Sequence, residues 1–250
     1  MIDVNEYDVY YMVELTVRDF TSFWGVHSFR FCGGFNLVQG SGGSGKTNLV
    51  RSLEFALFGR TRDQPVSSLI NDLHRGDCEK WGATPSCEVS AVFRCGGRDF
   101  MVKRKLLDCR EGLKQIMVFD SDVIDIVSPE SFEKMFIREQ DIEPLGGLSL
   151  GESTPIIVLN ALARNIYDGI SMVFLDDVFG RLANEAKIEL LARLNNFGLE
   201  QIIVFESFVF EKALLEEYES KFMELPCART DHREVKASFF VRHREDNFQK

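Results

Sequence analysis

No run of this chain approaches the roughly 18 uninterrupted apolar residues of a membrane-spanning helix. Its first residues, Met1-Ile2-Asp3-Val4-Asn5-Glu6, also lack the basic stretch followed by an apolar one that marks a secretion leader. The expectation is a soluble, cytoplasmic protein with no membrane partner. None of the six cysteines (Cys32, Cys78, Cys87, Cys95, Cys109, Cys227) stands in a C-x-x-C pair or at a ligand spacing from a histidine. That speaks against the common zinc frameworks and leaves buried free thiols as the expectation. Positive charge is scarce as well: 29 lysines and arginines face 39 aspartates and glutamates, a formal net charge of −10. A surface of that sign repels nucleic acid as a whole, so any DNA contact has to be local. Arg60 with Arg62, the run Lys103-Arg104-Lys105, and Arg242, His243 and Arg244 are the candidate spots. There is no internal repeat, no low-complexity tract and no heptad run from which a coiled coil could form.

What is present is a sizeable core and one strong motif. An apolar content of 45% over 250 residues suffices for one large domain or one domain in two lobes. Residues 40–47 read Gly40-Ser41-Gly42-Gly43-Ser44-Gly45-Lys46-Thr47, a complete G-x-x-x-x-G-K-[ST] loop between an apolar strand pattern (Phe35 to Gln39) and a helical one. Glycines let backbone N–H groups turn toward phosphate, Lys46 can reach the β and γ oxygens, and the Thr47 hydroxyl can ligate Mg²⁺. The nucleotide-binding set read here is Gly40, Gly42, Gly43, Ser44, Gly45, Lys46, Thr47 and Asn48. ATP and Mg²⁺ are the ligands it implies.

The remaining pattern is an α/β one. Residues 11–17 and 28–32 read as strands, a helix runs from about Lys46 to Phe58 and ends at Gly59, and Cys87, Val89, Ala91 and Phe93 share one face of a period-two strand. Asp99 to Leu106 gives a further strand after the Gly96-Gly97 turn, so an antiparallel β-rich lobe over 1–125 is expected. Pro129 to Ile137 reads as a helix opening on Ser128-Pro129-Glu130. In a second lobe, 126–250, a helix from about Gly151 to Tyr167, a strand Met172 to Leu175, a helix from Asn184 to Asn196 and a strand Ile202 to Phe205 alternate, which implies a parallel sheet. Ligand chemistry in such sheets lies at the carboxyl ends of the strands, where Asp176 and Asp177 fall. One carboxylate there suits Mg²⁺ and its neighbour suits the attacking water.

In their order and spacing these segments resemble the ATP-binding-cassette heads of the SMC and Rad-fifty family, ATPases of chromosome maintenance and double-strand-break repair. The opening Leu15 to Ser22, the lead-in Phe35-Asn36-Leu37-Val38 and Leu53 to Gly59 look like the family's amino-terminal half. Phe136-Ile137-Arg138-Glu139-Gln140-Asp141-Ile142 looks like its Q-loop, and Leu148-Ser149-Leu150-Gly151-Glu152 like its signature. The resemblance implies a single P-loop NTPase head over 1–250, with catalytic roles for Asp177, Gln140 and Lys46. It implies metal contacts from Thr47, Gln140 and Asp176. Ser149 and Gly151 would close over the nucleotide of a second copy in an ATP-dependent homodimer. DNA, a nucleoid location and a nuclease or coil-bearing protein partner are further implications.

Several positions depart from the family. Asp177 stands at the catalytic Glu, Ser207 at the switch His of repair-type heads, Ala183 at the D-loop Asp, Leu150 at a signature Gly and Thr21 at a repair-type Arg. The long coiled coil that the family carries between Q-loop and signature is missing, since only a few residues separate Gln140 from Ser149. The chain reads as either a natural coil-less relative or an excised head, and the absence of an obvious Gly/Ser joint favours the former. Slow hydrolysis follows from the shorter carboxylate. A non-hydrolysing nucleotide-clamped regulatory module and the ATPase subunit of a transporter remain alternatives.

Overall fold

The structure, a computed structural model, describes residues 10–40, 42–95, 97–119, 134–207, 221–224 and 238–240. They form two units, one from residues within Met1–Phe31 and Gly43–Pro129, the other from Cys32–Gly42 and Glu130–Pro226 with a strand beyond it. The chain therefore does not divide at one point near 125. Cys32–Gly42 belongs with the later half of the sequence.

The first unit is built on a five-stranded antiparallel sheet. Its strands are β1 (Tyr10–Phe20), β2 (Phe23–Arg30), β4 (Ser86–Cys95), β5 (Arg98–Cys109) and β6 (Gly112–Phe119), in the order β2-β1-β4-β5-β6. Strict alternation of buried and half-buried residues along β4 puts Cys87, Val89, Ala91 and Phe93 on the inner face, as the period-two pattern anticipates. Helix α1 (Lys46–Phe58) packs on β4 and β5, with Leu49, Leu53, Phe55 and Ala56 buried, and Gly59 closes it in a left-handed C-cap.

Arg104 turns inward from β5, so the run Lys103-Arg104-Lys105 is not a continuous basic face. Its guanidinium donates to the carbonyls of Ala56 and Leu57 at 3.2 Å each and to Gln115 at 3.3 Å. A cation at the negative end of α1 is electrostatically favoured, although burial lowers its pKa. Arg62 likewise pairs with the buried Glu54, and 242–244 lie outside the described residues.

A short helix, α2 (Asp72–Trp81), occupies a stretch that looks merely polar in sequence. Asn71 caps it, and only Cys78 among its residues is buried, so no apolar periodicity announces it. On α2, His74 lies 3.3 Å from the Cys78 sulfur and 3.5 Å from an Asp19 oxygen. Burial, with Asp19 and Asp77 adding, raises the Cys78 pKa and keeps the thiol protonated rather than nucleophilic. All five described cysteines are free thiols.

The second unit holds a six-stranded sheet in the order β11-β10-β3-β9-β8-β7. The strands are β3 (Gly34–Gln39), β7 (Phe136–Arg138), β8 (Met172–Asp176), β9 (Gln201–Glu206), β10 (Lys221–Glu224) and β11 (Ser238–Phe240). All pairings are parallel except β10 with β11. Helices α3 (Leu150–Tyr167) and α4 (Asn184–Asn195) supply Val158, Leu162, Leu190 and Leu191 to a core shared with Leu37, Val173, Leu175 and Val204.

The helix expected over Pro129 to Ile137 is corrected at its end. Lys134 and Met135 are helical, but Phe136–Arg138 is a strand, with Phe136 and Ile137 paired to Phe174 and Leu175. Pairing against the buried strand β8 overrides the local helical pattern. The earlier part of that expected helix lies outside the described residues. Among the described residues no helix is long and apolar enough to cross a membrane.

Candidate nucleotide site

The register of the parallel sheet gathers four strand ends at one edge. Gln39 pairs with Glu206, Asp176 with Phe205 and Arg138 with Asp176. From that edge the chain leaves β3 into Gly40, β8 into Asp177, β9 into Ser207, and β7 into a 3₁₀ turn, Glu139–Asp141, that contains the exposed Gln140. The Gly40 N–H donates to the Glu206 carbonyl at 3.2 Å. Gly40, Gln140, Asp176 and Asp177, which sequence reading nominated separately, thus share the carboxyl edge of one sheet.

Asp177 is held in a conformation that few non-glycine residues adopt, with φ of 54°. Its N–H donates to the Phe205 carbonyl at 2.8 Å. Its Oδ1 accepts both donors of Ser207, the N–H at 2.8 Å and the hydroxyl at 2.6 Å.

Beside it lies Glu206, which sequence reading missed. Glu206 is fully buried and its Oε2 accepts the Phe179 N–H at 3.1 Å. Burial above all, with Asp177 and Asp176 adding, pushes its carboxyl up to about 8 against the opposing Phe179 bond and Lys187. It is mostly protonated at neutral pH. The available signal was an acidic residue closing the apolar run Ile202 to Phe205, the same signal that singled out Asp176.

The candidate signature opens α3. Ser149 is its N-cap and forms a full capping box: the Ser149 hydroxyl accepts the Glu152 N–H at 3.3 Å, and the Ser149 N–H donates to the Glu152 carboxylate at 2.8 Å. The Ser149 hydroxyl also donates to that carboxylate at 2.7 Å, and these bonds lower the Glu152 pKa. A Cβ on Gly151 would stand 3.2 Å from the Arg181 carbonyl, so a larger residue at this helix start would push that segment back by a few tenths of an ångström. Arg181 in turn pairs with Glu139, next to Gln140. Signature helix, the segment after Asp177 and the Gln140 turn are therefore linked in one unit.

The remainder of the phosphate loop opens α1 in the first unit. Gly43 and Gly45 have φ of 82° and 103°, and Gly45 is the N-cap with no side-chain cap bond. A Cβ at Gly45 would meet the Phe23 ring at 3.0 Å, so strain and crowding both demand glycine. Ser44 and Lys46 are buried, and the Ser44 hydroxyl oxygen has no hydrogen-bond partner. Thr47 is exposed in the first turn. Asn48 is engaged elsewhere: it donates to the Ser22 hydroxyl at 2.8 Å and accepts from Arg51 at 2.6 Å. Ser41 lies outside the described residues.

These features fit a phosphate group: an uncapped helix start, left-handed glycines and an orphaned buried hydroxyl. For Mg²⁺, the hydroxyl of Thr47, the amide of Gln140 and the carboxylate of Asp176 are hard oxygen donors. Among the described residues no cluster of three or more His, Cys, Asp or Glu could hold a metal.

Comparison with known proteins gives the family and the fold. A family model described as an AAA domain matches residues 14–222. A DNA double-strand break repair Rad50 ATPase of Thermoplasma acidophilum is 29% identical over 73 residues, covering 29% of this chain and 7% of that relative's length. The SMC head domain from Thermotoga maritima matches with a TM-score of 0.59 at 15% identity, over 86% of this chain and 94% of that one. An SmcHead solved bound to the C-winged helix domain of ScpA gives 0.65 at 13% identity, over 92% and 97%. An Smc head domain with an extended coiled coil, bound to the C-terminal domain of ScpA derived from Pyrococcus furiosus, gives 0.60 at 12% identity, over 93% and 96%.

Proposed function

The chain belongs to the AAA-domain family and has the fold of an SMC- and Rad50-type ATPase head; from that premise we propose that it binds ATP with Mg²⁺, hydrolyses it slowly and dimerises on ATP in DNA repair or chromosome organisation. The observation that carries this reading is the start of α1, where left-handed glycines, a missing side-chain cap and the unpartnered hydroxyl of the buried Ser44 suit a phosphate chain, with Lys46 supplying the cation. Gly40, Gly42, Gly43, Ser44, Gly45, Lys46 and Thr47 bind the phosphates. Thr47, Gln140 and Asp176 hold Mg²⁺, which when bound neutralises phosphate charge. Asp177 takes the proton of the attacking water. Because its carboxylate is one methylene shorter than glutamate, a displacement of roughly 1 Å costs about a hundredfold in rate.

Ser149 and Gly151 act on the nucleotide of a second copy. ATP then adds attraction between copies that ADP lacks, so binding favours the dimer and hydrolysis releases it. Because two of the similar heads were solved bound to domains of ScpA, a partner protein docked on this head is part of the reading. Any DNA contact is local, and the location is the cytoplasm, at the nucleoid.

The test is light-scattering mass with and without Mg²⁺-ATP, for wild type and Asp177→Asn, with phosphate release read on the same samples. A mass that doubles with ATP, and release lost in the variant, are expected. A monomer at ATP concentrations far above its dissociation constant would refute the dimer. Absent turnover would refute the ATPase and leave a nucleotide-clamped module.

A further inference from the structure

Asp177 sits between two requirements. Its backbone is left-handed, which for a non-glycine residue persists only where neighbours hold it. Its carboxylate must also present an oxygen to water in a fixed direction if it is to accept a proton. The end of β9 supplies the hold: the Phe205 carbonyl takes the Asp177 N–H, and the next residue but one, Ser207, gives both its N–H and its hydroxyl to the same carboxylate oxygen, Oδ1.

Two donors at 2.8 and 2.6 Å on one oxygen fix the torsion of the carboxylate as a single donor would not. They also divide the labour between its oxygens. Oδ1 is committed to Ser207, whereas no bond to Oδ2 is found among the described residues. We propose that Ser207 is a positioning residue, which clamps Oδ1 so that Oδ2 is the oxygen left to act on the attacking water. In that step the proton passes from water to Oδ2, the water oxygen bonds to the γ-phosphorus, and the bond from phosphorus to the ADP oxygen breaks. Ser207 acts on the step only through Asp177.

Glu206 keeps the two strand ends in step. Its backbone carbonyl holds Gly40 and its carboxyl holds the N–H of Phe179, two residues beyond Asp177. The clamp residue therefore follows a position anchored to both the start of the phosphate loop and the segment after Asp177. Within one residue, the hydroxyl is the separable part, because the N–H bond survives any substitution except proline.

The inference rests on Asp177 as the proton acceptor, and the experiment separates the two. Steady-state phosphate release is measured with saturating Mg²⁺-ATP for wild type, Ser207→Ala, Ser207→Thr and Asp177→Asn, with ATP affinity from equilibrium titration. Ser207→Ala should lower kcat roughly tenfold, less than the roughly hundredfold of a 1 Å misplacement because the N–H remains. KM and ATP affinity should stay within about twofold, and Ser207→Thr, which keeps the hydroxyl, should restore the rate. Ser207→Ala at or above the wild-type rate overturns the inference, and so does a loss of ATP affinity that accounts for the whole effect. Should alanine fail to fold, Ser207→Cys replaces the hydroxyl with a weaker donor and should give an intermediate rate; a wild-type rate there overturns the inference equally. Turnover that survives Asp177→Asn overturns instead the assignment of the base, whatever Ser207→Ala does.

Discussion

Helices α1 and α3 both begin at motifs nominated for phosphate chemistry, and they begin in opposite ways. At α1 the N-cap is Gly45, without a side-chain bond, and no acidic residue lies in the first turn. At α3 the N-cap is Ser149, a capping box is complete, and the Glu152 carboxylate already sits on the Ser149 N–H and hydroxyl. A helix start leaves up to four N–H groups without intrahelical partners. No side chain caps the first helix, whereas the second meets its start with an anion of its own. On the function proposed above, the first helix start receives nucleotide in a single copy, while the signature is self-satisfied until something displaces Glu152. That order of events suits a head in which nucleotide binds first and a second copy follows.

The largest effect should come from Lys46→Ala, which removes the buried cation of the open helix start. ATP affinity in an equilibrium titration should fall by about a hundredfold or more, since charge-assisted phosphate contacts are the strong ones. Substitutions at Ser149 should leave single-copy affinity unchanged, and equal losses at both helices would break the contrast.

Next in size is Gly45→Ala. A side chain at φ of 103°, with the Phe23 ring 3.0 Å away, should destabilise the fold by about 1–3 kcal/mol in urea titration, besides weakening ATP binding. An alanine variant as stable as wild type would mean that the loop is looser than its geometry implies.

The acid–base behaviour of Glu206 and Glu152 should differ in sign. Glu206 holds its proton to about pH 8 in the folded chain against an ordinary 4.5, so the native state binds more protons than the unfolded one between those values. Stability from this group is complete below 4.5 and is lost as pH rises toward 8. In metal-free buffer, Glu206→Gln should therefore flatten the fall in melting temperature between pH 5.5 and 8.5. An unchanged slope would place the titration elsewhere.

Ser149→Ala should cost about 1 kcal/mol, the usual worth of an N-cap, and lower the melting temperature by about 2–4 °C. Smallest is Glu152→Gln. Glu152 is depressed from 4.5 by the Ser149 hydroxyl and N–H, so its contribution is present above 4.5 and lost as pH falls through the lowered value. Wild type and Glu152→Gln should differ slightly in melting temperature at pH 7 and converge in acid. At neutral pH the variant should form the ATP-dependent dimer at least as readily, and weaker dimerisation would show that Glu152 assists the signature.

Where apolar residues recur with a clear period, the elements were legible before any coordinates. β4 shows its alternation directly, α1 runs from Lys46 to a Gly59 cap, and β8 and β9 are short apolar runs closed by acids. The phosphate loop, Asp176 and Asp177 followed from local motifs. What escaped depends on partners distant in sequence. Phe136–Arg138 looks helical until it is paired with β8, and α2 has too few buried residues to show a period. Asn48 could not be seen to bind Ser22, nor Arg104 to turn inward against α1. The clamp of Ser207 on Asp177 spans 30 residues, and nothing at either position hints at the other.

The strand that feeds the phosphate loop has a history during synthesis that its neighbours do not share. β3 lies between β9 and β10, and Gln201 reaches back 169 residues to hold the Cys32 carbonyl just before it. The five-stranded sheet, by contrast, needs nothing beyond Phe119 to pair. At about 5–20 residues per second on the ribosome, β3 waits roughly 8–30 s with both of its edges unmatched. Its buried Phe35, Leu37 and Val38 are apolar during that wait. The strand that leads into the loop at residues 40–47 is thus the one most in need of a chaperone in the nascent chain, and a transcript slowed before codon 206 should yield aggregated rather than inactive protein.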